Sequence, residues 1–186
     1  MATGSGSAEG GAAMDETMAA CMAMAAPSAE HELLKRFEGT WRARVSMWMG
    51  PGPETGAEPM VSHGTMTNTL IFGGRFVEHE YADDSGMFQG KGFFGYNRLE
   101  ERWEGIWSDT MATFMMTERG SYDEASKTWT MTDELKDPGS GHMMRKRSVV
   151  TLHGDGTHTM ETWFTPLAGE NAGVESKCME IAYTRA

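Results

Sequence analysis

Charged residues and a histidine fall on the same predicted strand faces as tryptophan in this sequence, where they could act on a small molecule. Within residues 102–109, the alternation of a β-strand puts Trp103, Trp107 and Asp109 on one face. Within residues 75–81, the same alternation aligns Arg75 with His79. On the inner face of a closed sheet such charges are costly unless they are paired or bound to a ligand.

Arg75 and Asp109 therefore have two interpretations. They form a structural ion pair or hold turns in place, or Arg75 binds a ligand carboxylate through its two-pronged guanidinium. A third strand, residues 157–165, places Glu161 and Trp163 on one face. We expect a largely apolar ligand site in which Arg75 or Asp109 orients the polar end of the ligand. The expected lining residues are Met47, Trp103, Trp107 and Trp163, together with Trp41 and Met179.

Acid–base catalysis is a second use of these faces, with Asp109, Glu161 and His79 as the candidate catalytic residues. A dry interior shifts the pKa values of carboxyl groups, which suits them to proton transfer. The sequence contains no Gly-x-Ser-x-Gly nucleophile motif and no glycine-rich phosphate loop that leads into a helix. Binding and acid–base catalysis both stay open as alternatives.

The six histidines raise the question of a metal or haem site. None has the short spacing that would bring two ligands together on one element, so the ligands would have to converge from separate strands. The candidates are His63, His79 and His158. Soft sulfur donors suited to copper(I) also occur near the N-terminus, but their helical spacing favours a packing surface: Met14, Met18, Cys21 and Met22. We predict no metal or other cofactor.

The segment before residue 39 is predicted to be helical. Residues 1–13 are rich in Gly, Ser and Ala and indicate a flexible tail, whereas residues 14–26 consist mostly of good helix formers. Pro27 ends this leader helix, and a second short helix follows from an N-cap at Ser28. We therefore divide the chain into a tail and Met- and Ala-rich leader helix (residues 1–27) and a barrel domain (residues 28–186).

Short strand-like runs separated by turn residues, such as Gly73-Gly74, fill the rest of the chain. About ten such runs with no helix between them indicate an antiparallel meander. A sheet of this size is expected to close on itself, because closure removes its exposed edges. The predicted fold class is all-β, a single up-and-down β-barrel preceded by one or two short helices. The predicted strands are 41–49, 63–72, 75–81, 87–96, 102–109, 113–120, 127–134, 142–152, 157–165 and 175–184.

Composition narrows the classes of partner. The net charge of −11 argues against a nucleic-acid-binding protein, which needs a basic surface to neutralise phosphates. The sequence has no positively charged signal-peptide start and no apolar run long enough to cross a membrane, so we expect no membrane partner. With only two cysteines, at positions 21 and 178, a reducing cytoplasmic setting is favoured.

The two ends of the predicted barrel carry a recognisable pair of motifs. Gly39-Thr40-Trp41 begins the first strand and Arg185 ends the last, an arrangement that resembles the calycin superfamily of lipocalins and fatty-acid-binding proteins. The resemblance implies that Arg185 stacks on Trp41 at the base of the barrel. It therefore assigns Gly39, Trp41 and Arg185 a structural role in closing the barrel.

Further motifs, in order along the chain, resemble one uncharacterised family, the domain of unknown function 1579. That family has no agreed activity, so the resemblance implies the fold and leaves the function open. Asn97 stands where the family has Asp, and either residue initiates a turn. The motifs are Gly73-Gly74-Arg75, Gly95-Tyr96-Asn97, Trp107-Ser108-Asp109, Gly120-Ser121-Tyr122-Asp123 and the segment from Met179 to Arg185.

The function expected from these residues is the binding of a small hydrophobic or amphipathic molecule in a barrel cavity. Its site is expected at the end away from Trp41, where Trp107, Asp109 and Arg75 would meet. The alternatives are an enzyme with interior acid–base residues, a solidly packed barrel that serves as an interaction module, and a metal- or haem-binding protein. A homo-oligomer formed through the Met-rich leader helix is the expected protein partner.

Overall fold

The computed structural model describes residues 6–50, 52–154 and 156–186. Helix α1 spans Gly6–Ala25, and helix α2 (Ala29–Glu32) continues into a 3₁₀ turn at Leu33–Arg36. The predicted flexible tail is wrong for residues 6–13, which are helical because they extend an already nucleated helix. Residues 1–5 of that prediction lie outside the described residues. Neither described helix is long and apolar enough to cross a membrane.

After residue 38 the described chain contains ten strands, with a 3₁₀ turn at Pro53–Thr55 between the first two. They follow the predicted runs closely, with shifts of a few residues at several ends. Their bounds are β1 Gly39–Met47, β2 Met60–Ile71, β3 Phe76–Asp83, β4 Gln89–Asn97, β5 Arg102–Asp109, β6 Met116–Asp123, β7 Thr128–Lys136, β8 Met143–Leu152, β9 His158–Pro166 and β10 Ser176–Arg185.

The strands form a closed antiparallel barrel in which each strand pairs with its neighbours in sequence. The barrel closes between β1 and β10, with a register that runs from Trp41 opposite Arg185 to Met47 opposite Met179. The prediction of an up-and-down barrel of ten strands is confirmed. Because side chains alternate along each strand, this register decides which residues point into the barrel.

Short α2 and its 3₁₀ turn cover one end of the barrel, which we call the closed end. Leu34 from the 3₁₀ turn is fully buried there. The Nε1–H group of Trp41 donates a hydrogen bond of 2.7 Å to the carbonyl oxygen of Phe37. The guanidinium carbon of Arg185 lies 4.2 Å from the centre of the Trp41 ring, and Arg185 donates a hydrogen bond of 2.7 Å to the carbonyl oxygen of Glu38. The opposite end, where β1 finishes at Met47, is the open end.

Inward-facing side chains form two apolar clusters. One lies against the closed end and contains Leu34, Phe37, Val77, Trp103, Trp129 and Met131. The other lines β1, β2, β3 and β10 and contains Trp41, Ala43, Val45, Met66, Tyr81, Ile181 and Tyr183. The interior is therefore aromatic and apolar over most of its surface, so any polar group inside it stands out.

Candidate ligand site inside the barrel

Trp107 and Asp109 lie together on the inner face of β5 near the open end. The Trp107 Nε1–H donates a hydrogen bond of 2.9 Å to Oδ2 of Asp109, whose Oδ1 accepts one of 2.9 Å from the backbone of Met111. The indole packs directly on β4, since a Cβ at Gly92 would lie 2.9 Å from Cε3 of Trp107. Both oxygens of Asp109 are thus engaged in holding the ring and the following turn.

Arg75 lies at the opposite end, so its expected meeting with Asp109 is wrong. Strand β3 begins only at Phe76, and Arg75 therefore belongs to the turn before it. Its Nη1 donates a hydrogen bond of 2.8 Å to the carbonyl oxygen of Phe72, and its Nε donates one of 2.8 Å to that of Ala25. Arg75 holds a turn and a helix end, and it does not reach the barrel interior.

Arg75 shares this task with a second arginine at the closed end. Arg98 donates hydrogen bonds of 2.5 Å and 2.9 Å to the carbonyl oxygens of Ala23 and Ala26. The last carbonyls of a helix lack intrahelical partners and carry the negative end of its dipole, so guanidinium groups stabilise them. The two arginines clamp the C-terminal end of α1 to the barrel.

Glu161 and Trp163 point outward from β9, so the expectation that they face the interior is wrong. Thr162 between them is buried and points inward, and alternation sends its neighbours to the outer surface. Glu161 pairs with Lys177. The guanidinium of Arg147 lies 4.1 Å from the centre of the Trp163 ring. These residues form part of an outer ion-pair cluster.

The remaining predicted lining residues all point inward, at different depths. Met47 and Met179 are paired across β1 and β10 at the open end. Trp41 belongs to the closed end. Trp103 is buried in the cluster at that end, where its ring stacks on Phe94 with centres 5.2 Å apart.

The three metal-candidate histidines do not converge. His63 is exposed on the outer face of β2, whereas His79 and His158 point into the barrel. Within the described residues no group of three or more His, Cys, Asp or Glu side chains could hold a metal ion. Cys21 on α1 is exposed, Cys178 on β10 is half-buried, and both are free thiols.

His79 is the end of an ordered chain of hydrogen bonds that begins at the closed end. The carbonyl oxygen of Phe37 accepts from Trp41 and also, at 2.9 Å, from Nδ2 of Asn68, which is 3% exposed. Oδ1 of Asn68 lies 2.7 Å from Nδ1 of His79. Burial lowers the pKa of His79 to about 4, so the imidazole is neutral near pH 7.

His158 is held by rings rather than by hydrogen bonds. It stacks on Tyr183 with ring centres 4.4 Å apart and meets Trp41 edge-on at 4.4 Å. Within the part of the chain that the structure describes, its buried Nδ1 has no hydrogen-bond partner. Burial lowers the pKa of His158 to about 3, so this imidazole is neutral as well.

Strands β6 to β9 carry a second set of inward polar groups. Lys146 forms an ion pair with Glu118, and the Ser148 hydroxyl donates a hydrogen bond of 2.9 Å to Glu118. Two other buried groups, Oγ1 of Thr162 and Nε1 of Trp129, have no hydrogen-bond partner among the described residues. A buried polar atom without a partner is destabilising by about 1–3 kcal/mol, so such atoms point to water or a ligand.

Asn68 and His79 on β2 and β3 form a first polar wall of the interior, and the polar groups of β6 to β9 form a second. The two walls face each other. The strand order places β3 five positions from β8 in a ring of ten, and β2 five positions from β7. Asn68 and His79 therefore lie across the barrel from Trp129 and Ser148. Five inward residues keep part of their surface accessible: His79, Phe94, Trp107, Met160 and Met179.

Sequence reasoning identified His79 but missed most of its surroundings. Asn68 lies on a face with Gly64 and Met66 in β2, an alternation that was visible in the sequence. Its role depends on the carbonyl of Phe37, which no local pattern reveals. Lys146 was visible only as part of a basic run, and its Glu118 partner is 28 residues away.

A comparison with protein families shows to which family the chain belongs. The model of a protein family of unknown function (DUF1579) matches residues 26–185, which includes every strand of the barrel. No curated protein matches the sequence.

Proposed function

The chain belongs to the DUF1579 family, and from its interior we propose that it binds a small, largely apolar molecule that carries a polar group. The observation that carries the proposal is the set of buried, unpartnered polar atoms on the inner surface: Nε1 of Trp129, Nδ1 of His158 and Oγ1 of Thr162. Native proteins leave few such atoms without water or a ligand.

The apolar part of the ligand would contact the aromatic surface. Phe94 and Trp107, which keep part of their surface accessible, offer aromatic surface to a flat or flexible hydrocarbon. Met160 and Met179 adapt to irregular shapes because their side chains are unbranched and polarizable. This combination of apolar walls with a few convergent polar groups is typical of small-molecule sites.

The described interior residues offer no free cation to such a ligand. Among the described inward residues, Lys146 is the cation at the open end, and Glu118 already neutralises it. Arg75, which could have bound a carboxylate, lies at the outer surface of the closed end. The proposed ligand is therefore neutral or weakly polar rather than an anion.

Equilibrium dialysis with 2-methoxynaphthalene, a small neutral aromatic probe, tests the proposal. Thr162→Phe fills the interior, whereas Thr165→Phe adds the same ring to the outer face of β9 as a matched control. We expect binding by the native chain and the control, with at least a tenfold loss in Thr162→Phe. Circular dichroism checks the fold, and Met160→Trp is a second filling variant at an inward position. Equal affinity in all variants would place the probe on the outer surface and refute the proposal.

Self-association through α1 is a second candidate function. Met14, Met18 and Met22 follow one another at four-residue spacing and are 71%, 59% and 68% exposed. Exposed methionine on a helix is an adaptable surface for a partner helix. Light scattering after size exclusion tests this function. A dimer that Met14→Ser, Met18→Ser and Met22→Ser together convert to a monomer supports it, and a native monomer at all concentrations refutes it.

A further inference from the structure

The hydrogen bonds around Asn68 decide which kind of polar group the interior recognises. A carbonyl oxygen can only accept, so the group of Asn68 that faces Phe37 at 2.9 Å must be its Nδ2 amide. Trp41 donates to the same carbonyl at 2.7 Å, which holds the carbonyl in place. The side chain of Asn68 is thereby fixed, with its Oδ1 acceptor directed at His79.

The orientation of Asn68 determines the tautomer of His79. Oδ1 can only accept, so Nδ1 of His79, 2.7 Å away, must carry the proton and donate it. A neutral imidazole has one N–H group, and burial keeps the pKa of His79 well below neutral pH. The other nitrogen, Nε2, is therefore a hydrogen-bond acceptor.

Nε2 of His79 is free to bind a ligand. Within the described part of the chain, Asn68 is the side chain that hydrogen-bonds His79. His79 points into the barrel, with the Phe94 ring 6.4 Å away and Gly92 opposite it on β4. Gly92 carries no side chain of its own, and the indole of Trp107 from β5 packs over Gly92 and Gly90.

We infer that the ligand of the barrel site presents a hydroxyl or N–H donor to Nε2 of His79, as a phenol, an alcohol or an N–H heterocycle does. This inference rests on the proposed function and adds the chemical class of the ligand. A carboxylate or an ether has no proton to donate, so these compounds leave Nε2 unpartnered. A carboxylate also brings a negative charge into an interior whose lysine is already paired with Glu118.

Three naphthalenes of similar size test the inference by equilibrium dialysis: 2-naphthol, 2-methoxynaphthalene and 2-naphthoate. A net hydrogen bond of about 1 kcal/mol corresponds to roughly a fivefold preference, so we expect 2-naphthol to bind about five to ten times more tightly than its methyl ether. The naphthoate is expected to bind most weakly.

Two histidine variants assign this preference to one nitrogen. In His79→Phe the preference for naphthol over the ether is expected to disappear while the ether still binds. In His63→Phe, which changes an exposed outer histidine, the preference is expected to stay at the native value. A preference that survives in His79→Phe would overturn the inference.

Nitrogen-15 NMR of the native chain gives an answer that needs no variant. The imidazole of His79 is expected to show a protonated Nδ1 and an unprotonated Nε2, and the reverse tautomer would overturn the inference. The binding outcomes separate the two proposals. Equal binding of naphthol and its ether refutes the inference and leaves the proposed function standing. Absence of binding by both refutes the proposed function and the inference together.

Discussion

The two polar walls of the barrel interior differ in how their groups are satisfied. On β2 and β3, Asn68 and His79 form a continuous chain that starts at a backbone carbonyl. On β7 and β9, Nε1 of Trp129, Nδ1 of His158 and Oγ1 of Thr162 are buried without partners in the described chain. On the first wall the chain itself supplies the partners of Asn68 and of Nδ1 of His79 and leaves Nε2 free, whereas the three atoms of the second wall have no partner among the described residues. The buried polar groups of the first wall are thus oriented by the chain, whereas those of the second wall have no group in the described chain to orient them.

The largest expected effect on stability comes from removing the hydrogen bonds of the first wall. Asn68→Leu removes both hydrogen bonds and leaves Nδ1–H of His79 buried without an acceptor. We expect the free energy of unfolding to fall by about 2–3 kcal/mol, as measured by urea denaturation. Thr67→Leu, at the exposed neighbouring position on β2, is the control and is expected to change stability by less than about 0.5 kcal/mol. Similar losses at both positions would contradict the contrast between the walls.

An intermediate effect is expected from pH, because His158 on the second wall is buried and neutral. Its pKa is about 3 in the folded chain and about 6.5 when unfolded, so the unfolded chain takes up a proton first as pH falls. Above pH 6.5, His158 is neutral in both states and does not change the free energy of unfolding. Between pH 6.5 and the folded pKa of about 3, its contribution lowers the free energy of unfolding by about 1.4 kcal/mol for each pH unit.

His158→Phe isolates that contribution, since all other titrating groups are common to both chains. Between pH 6 and pH 5 the free energy of unfolding of the variant is expected to decline less steeply, by about 1.4 kcal/mol per pH unit. Denaturation curves at both pH values provide the measurement. Parallel declines in the two chains would show that His158 takes up its proton while the protein is folded.

The smallest effect is expected at Thr162 on the second wall. Thr162→Val replaces an unpartnered hydroxyl with a methyl group of similar shape, so no hydrogen bond is lost. We expect the ligand-free chain to be unchanged or up to about 1 kcal/mol more stable in urea denaturation. A clear loss of stability would mean that the hydroxyl is already hydrogen-bonded, and the two walls would then be alike.

The fold was accessible from the sequence because its signals are local. Turn residues such as Gly73-Gly74 separate runs of alternating residues, and ten such runs without helices leave few topologies besides a meander. The partnership of Trp41 with Arg185 followed from a resemblance, and the register brings the two residues opposite each other.

The site was less accessible because it depends on which side of each strand faces inward. A shift of one residue exchanges the two faces, so Trp163 was assigned to the interior although Thr162 occupies it. Arg75 was assigned to a strand that begins one residue later. Asn68 acquires its role only through Phe37, 31 residues earlier in the chain, and such a pairing exists only after folding.

The attachment of α1 to the barrel by Arg75 and Arg98 has a consequence for binding partners of this helix. A helix of 20 residues is about 30 Å long, and Arg75 and Arg98 hold its C-terminal end. Its N-terminal end therefore lies about 30 Å from the point where the two arginines hold the helix. Under the proposed self-association through α1, this attachment would hold a second copy close to the closed end of the barrel at a high effective concentration.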